Sequence, residues 1–279
     1  MILSRREWLA RAALFPAAAA LPRAPRAGPA GIRIGSCVVD LEGAKAAGVE
    51  GVEIRAALAG DDLDLADPAV RRRYRERRDA AGVSIPSIML GLLNEHPLAT
   101  DPRGPSWLAE AIDASNEVGA GVILVAFFGD GDLLGPGGRL KSAERAEVVR
   151  RLKAAAPRAE ATGVILAVEN YLDAAQNLAL LDEVNSPAVR LYYDCYNTGI
   201  TRGYDVPGEI RRLGDRIAQY HFKNGDAFLD AAEAHYRPIG RAIREGGHRG
   251  WVVLETSSPT GDPLADSRRN AEFARSLLR

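Results

Sequence analysis

Four residues in the second half of this 279-residue chain stand where an apolar run stops. Glu169 closes the run 164–168, Asp194 closes 189–193, His221 follows 217–220, and Glu255 closes 251–254. Two Glu, one Asp and one His offer oxygen and imidazole donors with a formal charge of −3. Brought to one point they repel each other strongly unless a cation lies between them. Such a donor set suits Mn²⁺, Mg²⁺ or Co²⁺. Structural zinc sites favour thiolates in a closed tetrahedron, although zinc also accepts carboxylate and imidazole donors and stays open here. Any one of these acidic residues taken singly could merely end a strand or cap the next helix. Four at consecutive run ends is the pattern that needs an explanation.

Elements able to position them recur along the chain. Short apolar runs at 32–38, 51–55, 83–89, 122–127, 164–169, 189–194, 217–222 and 251–255 read as strands. Between them lie amphipathic stretches at 42–47, 68–81, 105–118, 143–162, 175–184, 207–213, 229–245 and 263–278, which read as helices. Glycines at 48, 82, 119, 163 and 246 offer left-handed helix ends, with the next strand following almost at once. The segments after the strands, such as 91–104 and 129–142, are longer and more polar. Eight βα units in about 250 residues predict an α/β fold, a single-domain (β/α)8 TIM barrel over 31–279, whose carboxyl rim is where barrel enzymes place their chemistry. A doubly wound open sheet also alternates strands and helices. However, residues 36–40 after the first strand lack the glycine spacing of a dinucleotide-binding loop.

Residues 1–30 read differently. Arg5 and Arg6 precede an alanine-rich apolar run, 12–21, followed by a Pro/Ala/Gly linker, which is the order of a Tat-type signal peptide. The run is broken by Pro16 and Pro22 and falls well short of the roughly 20 residues that span a bilayer. The expectation is a periplasmic or secreted protein with no stable membrane insertion. These thirty residues carry five Arg and one Glu, so a chain of net charge −1 leaves about −5 for the rest. Such a surface has no basic field for nucleic acid. Two cysteines, Cys37 and Cys195, do not make a disulfide scaffold, and a homo-oligomer is left open.

The stretches GVEGVEI at 48–54, AVEN at 167–170, YDCYN at 193–197, YHFK at 220–223 and GWVVLE at 250–255 resemble the xylose isomerase-like TIM barrels, the sugar phosphate isomerase/epimerase group. The resemblance covers nearly all of 31–279. It implies that Glu169, Asp194, His221 and Glu255 ligate a divalent metal, that Glu169 and Glu255 also move protons, and that the substrate is a small sugar or polyol. The metal would bridge a substrate hydroxyl and carbonyl, acidify the C–H between them and stabilise an ene-diolate. Further candidates for substrate binding are Glu53 at the end of the second strand, Asn170, Asn197, and Lys223, which strand alternation puts on the face of His221. Their bland alternatives are an ion pair between Glu53 and Arg55 and a solvated lysine. His96 could reach the site from the third loop or lie at the surface. Phe127, Phe128, Trp107 and Tyr171 could line a sugar face or belong to ordinary packing, and His235 and His248 suggest no catalytic role. Asn197 stands where many epimerases have His, Asn224 where many relatives have Asp, and Gly240-Arg241 is the only remnant of a Gly-rich charged segment before the last helix, so altered substrate contacts are expected.

The first functional expectation is a metal-dependent isomerase or epimerase. A dehydratase or lyase on a keto-sugar, inosose or 3-keto-glycoside shares its first step and differs by loss of a leaving group. An abasic-site endonuclease on this barrel would need more metal-binding histidines than a chain with four His supplies, and a basic face. A non-catalytic sugar-binding protein would not need the intact donor set.

Overall fold

The computed structural model describes residues 31–279 apart from 59 and 61. The expected export leader and linker, 1–30, lie outside the described residues. No described helix is long and apolar enough to cross a membrane.

Nine parallel strand segments among the described residues form one sheet: β1 Ile32–Ser36, β2 Gly51–Val52, β3 Ile54–Arg55, β4 Ser87–Leu90, β5 Val122–Ala126, β6 Ile165–Glu169, β7 Val189–Asp194, β8 Ile217–Phe222 and β9 Gly250–Leu254. Their order is β2-β1-β9-β8-β7-β6-β5-β4-β3. The two ends of that order are the halves of a single stretch, 51–55, parted at Glu53, so the sheet closes into a barrel. The Glu53 N–H donates to the Ser36 carbonyl on one side (2.9 Å), while the Ala56 N–H donates to the Met89 carbonyl on the other (2.9 Å). The expected second strand is therefore present in two short pieces. The expected third strand is shorter, beginning after Pro86, which has no N–H to give a ladder.

Seven α-helices among the described residues cover the sheet: α1 Pro68–Ala81, α2 Gly104–Val118, α3 Ser142–Thr162, α4 Ala174–Val184, α5 Val206–Leu213, α6 Glu233–Glu245 and α7 Pro263–Leu278. Several starts are chemically explicit. Asp67 accepts from the Ala69 N–H ahead of Pro68, and Asp173 with Gln176 forms a reciprocal capping box. The helix expected at 42–47 is a set of turns instead. The Asp40 carboxylate takes the Gly43 N–H, and Gly48 at φ 69° reverses the chain, so too few residues remain to offset helix nucleation. Leu41, Ala44 and Ala47 are nevertheless buried, so the segment still covers the sheet. The expected turn at Gly246 falls one residue later, on Gly247, with φ 66°.

The main apolar core lies between strands and helices. A smaller cluster of Leu124, Ala126, Ala167 and Tyr192 fills the barrel interior. At its amino end Arg33 stacks over Trp251, 4.1 Å from the ring centroid, and a Cβ on Gly51 would come within 2.8 Å of that indole. Gly240 serves α6–α7 packing, since a Cβ there would lie 2.8 Å from the Leu277 carbonyl. It is a packing glycine and not the trace of a substrate loop.

Candidate metal centre

Strand register brings the four rim residues together. Asp194 on β7 pairs with His221 on β8, His221 pairs with Val253 on β9, and Glu255 lies two residues beyond Val253 on the same face. Glu169 ends β6. One ligand atom from each of Glu169, Asp194, His221 and Glu255 lies within 4.8 Å of every other. His221 is fully buried, with Nδ1 2.9 Å from Glu169 Oε1 and 3.5 Å from Glu255 Oε2. The turn after β7 aims Asp194: its Oδ1 accepts the N–H groups of Tyr196 (2.8 Å) and Asn197 (2.7 Å), and Thr198 Oγ1 donates to its carbonyl. That leaves buried Oδ2 without a hydrogen bond, although the Lys223 ammonium is an ion-pair partner at 3.0 Å. Lys223 also reaches Glu255 Oε2 at 2.9 Å, and Tyr236 pins its backbone by accepting its N–H and donating to its carbonyl.

Other expected residues fall into different places. Glu53 is buried beneath His221, not beside Arg55, and both its oxygens have partners. The Asn170 side chain fixes the loop after β6, accepting the Leu172 N–H and donating to Asn177. Asn197 is buried and joins the Asp194 turn through its backbone. Phe128 meets Tyr171 edge-on at 4.8 Å, and the Tyr171 hydroxyl feels the charges of Lys223, Asp194 and Glu169. Phe127 is in the core, while His96 and Trp107 belong to a cluster with Asp101 and Arg103. His235 meets the Cys195 carbonyl.

A buried layer of Ser87, Tyr192 and Gln219 was not anticipated, yet Tyr192 and Gln219 each lie two residues before a rim ligand on the same strand face, which is a readable signal. Cys37, at the end of β1, also went unassigned. With Glu53 and His221 it forms a second group within 4.8 Å. Burial pushes its thiol well above the ordinary range and the Glu255 and Glu53 charges push it further, so it resists becoming a thiolate ligand.

The electrostatics follow from burial and crowding. Burial pushes Glu169 up to about 7 against the pull of His221, and raises Asp194 against the pull of Lys223. Burial alone would lower His221, but Glu169, Glu53 and Glu255 outweigh it and raise the imidazole well above its usual value. Burial alone would raise Glu255, but His221 and Lys223 hold it low. The crowded carboxylates thus favour the protonated form of the imidazole.

A closed parallel barrel with a carboxylate–imidazole cluster at its carboxyl rim defines the class. The profile of the family described as xylose isomerase-like TIM barrel matches residues 41–277, and the chain belongs to that family. It is 29% identical over 184 residues to 2-epi-5-epi-valiolone 7-phosphate 2-epimerase of Actinoplanes sp., a match spanning 65% of this chain and 66% of that enzyme, just under two thirds of its length. Its fold is similar to D-allulose 3-epimerase from Methylomonas sp. (TM-score 0.72, 18% identity, 90% of this chain and 100% of that one). It is also similar to a structure of L-ribulose 3-epimerase (TM-score 0.71, 20% identity, 89% of this chain and 94% of that one).

Proposed function

We propose that this chain is a divalent-metal-dependent sugar isomerase or epimerase acting next to a carbonyl. The observation that carries this reading is the convergence of Glu169, Asp194, His221 and Glu255 on one point, the first three buried and Glu255 partly exposed, with Asp194 Oδ2 left without a hydrogen bond. The donors fit Mn²⁺, Mg²⁺ or Co²⁺: three carboxylates and one imidazole supply hard and borderline ligands, and the excess negative charge matches a dication. Similarity to named epimerases supports the reaction class.

A bound dication would polarise a substrate carbonyl and its neighbouring hydroxyl, which acidifies the C–H between them. Glu169, a carboxylate at the end of β6 beside the cluster's centre, would take that proton. Glu255, which His221 and Lys223 keep ionised, would first take up the hydroxyl proton of the substrate and then return it to carbon from its own side. Lys223, held between Asp194 and Glu255, keeps a positive charge at the rim that steadies negative charge growing on the substrate oxygen. Phe128 and Tyr171 offer an apolar wall to a sugar face.

The test is proton NMR of candidate aldoses, ketoses, inososes and 3-keto-glycosides in D₂O with Mn²⁺-treated protein. Deuterium should enter one C–H without elimination, and Glu169→Gln and Glu255→Gln should each slow that exchange by about 10³-fold. Loss of water or an aglycone would make the chain a lyase. Sugar binding without exchange would make it a binding protein.

A further inference from the structure

Glu53 was a candidate for holding a substrate hydroxyl, and the barrel interior gives it other partners. Its side chain is fully buried, and Oε1 lies 3.1 Å from His221 Nε2. Its Oε2 accepts the Ser87 hydroxyl at 2.6 Å and the Tyr192 hydroxyl at 2.8 Å. Gln219 Nε2 donates to the oxygens of both these hydroxyls, at 2.7 and 2.8 Å, so the one hydrogen that each hydroxyl carries is directed to Glu53. Oε2 is thus an acceptor twice over, and an ionised Glu53 would complete its contact with His221 by accepting a hydrogen from Nε2 at Oε1. The ring's other nitrogen, Nδ1, faces Glu169 and Glu255.

From this geometry we infer that Glu53 is a positioning residue: with Ser87, Tyr192 and Gln219 behind it, it holds His221 as the Nε2–H tautomer and keeps the Nδ1 lone pair turned to the rim for a divalent cation. This rests on the metal-centre reading above. A carboxylate behind a metal-binding histidine fixes the ring and raises its basicity, and losing such a partner typically weakens metal affinity 10- to 100-fold. A substrate ligand would act differently, because its loss raises KM and leaves cation affinity alone.

The test is Mn²⁺ titration calorimetry on the full chain with wild type, Glu53→Gln and Tyr192→Phe. Each variant's sugar KM is then measured at saturating Mn²⁺. Glu53→Gln should weaken Mn²⁺ binding by about 10- to 100-fold with KM nearly unchanged. Tyr192→Phe removes one hydrogen bond to Glu53 and should weaken it by roughly 2- to 10-fold. In ¹⁵N-histidine NMR of the Mg²⁺-loaded wild type, His221 should show the Nε2–H tautomer. Unchanged Mn²⁺ affinity with a raised KM in Glu53→Gln would overturn the inference and leave the metal centre standing. Wild type that binds no Mn²⁺ would overturn both. Should Glu53→Gln fail to fold, the wild-type tautomer and Tyr192→Phe decide the matter, with an Nδ1–H tautomer or an unaltered Tyr192→Phe affinity counting against it.

Discussion

Two histidines, one fully buried and one partly so, stand at opposite ends of neighbouring strands. His221, near the carboxyl end of β8, has no exposed surface and lies against Glu169, Glu53 and Glu255. His248, just before β9 at the amino end, meets the edge of Tyr220 at 4.8 Å and leaves Nε2 buried without a hydrogen bond, beside a cavity of about 180 Å³. Burial disfavours the imidazolium at both sites. At the rim the carboxylates reverse that tendency, whereas at the base nothing does and burial pushes His248 down to about 4. The presence of a cavity therefore does not mark the chemistry. What distinguishes the rim is the crowding of carboxylates from several strand ends around one imidazole.

The largest expected effect that separates the two ends concerns stability. Folding keeps His248 neutral with a pKa below its unfolded value of about 6.5, so the unfolded chain takes up the proton first as the solution is acidified. Its contribution is fully present above that value and is lost as pH falls from about 6.5 to about 4. The loss amounts to about 3 kcal/mol. Denaturant melts across this interval should show His248→Leu losing less stability than wild type by about that amount. Parallel curves would mean that His248 titrates normally in the folded protein.

A smaller effect sharpens the same contrast from the backbone side. Gly163 ends α3 at φ 68°, in the tight connection to β6 at the base. Alanine there forces a side chain into the left-handed region at a cost of about 1 kcal/mol, lowering Tm by roughly 2–4 °C. Mn²⁺ affinity should not move, because the rim geometry is set by strand register. A thermal melt paired with a Mn²⁺ titration checks this, and a large fall in affinity would show that the two ends are mechanically coupled.

Much of this division was readable in the residues. Glu169, Asp194, His221 and Glu255 each interrupt an apolar run, and in a closed barrel all run ends of that kind share one rim, so their convergence follows from counting strands. Glu53 lay deeper because its role depends on facing direction and level. The stretch 51–55 is only two pairs of ladder residues around it, and its partners Ser87, Tyr192 and His221 come from β4, β7 and β8. Lys223 was placeable on the face of His221 by alternation, but its grip on Asp194 and Glu255 required the β8–β9 register. The turns at 42–47 escaped because their apolar spacing satisfies a helix and a buried turn equally. The capping carboxylate of Asp40 and the reversal at Gly48 decide between them.

Crowded carboxylates at the rim raise the His221 imidazole well above its ordinary value, so a dication entering there should displace a proton, which calorimetric titration with Mn²⁺ in buffers of different ionisation enthalpy would read. One ion should bind per chain with release of at least one proton, from His221 and, below about pH 7, from Glu169 as well, and affinity should rise by about tenfold per pH unit for each proton released. No binding, or binding whose heat is the same in every buffer and whose affinity is flat between roughly pH 6 and pH 8, would contradict the account.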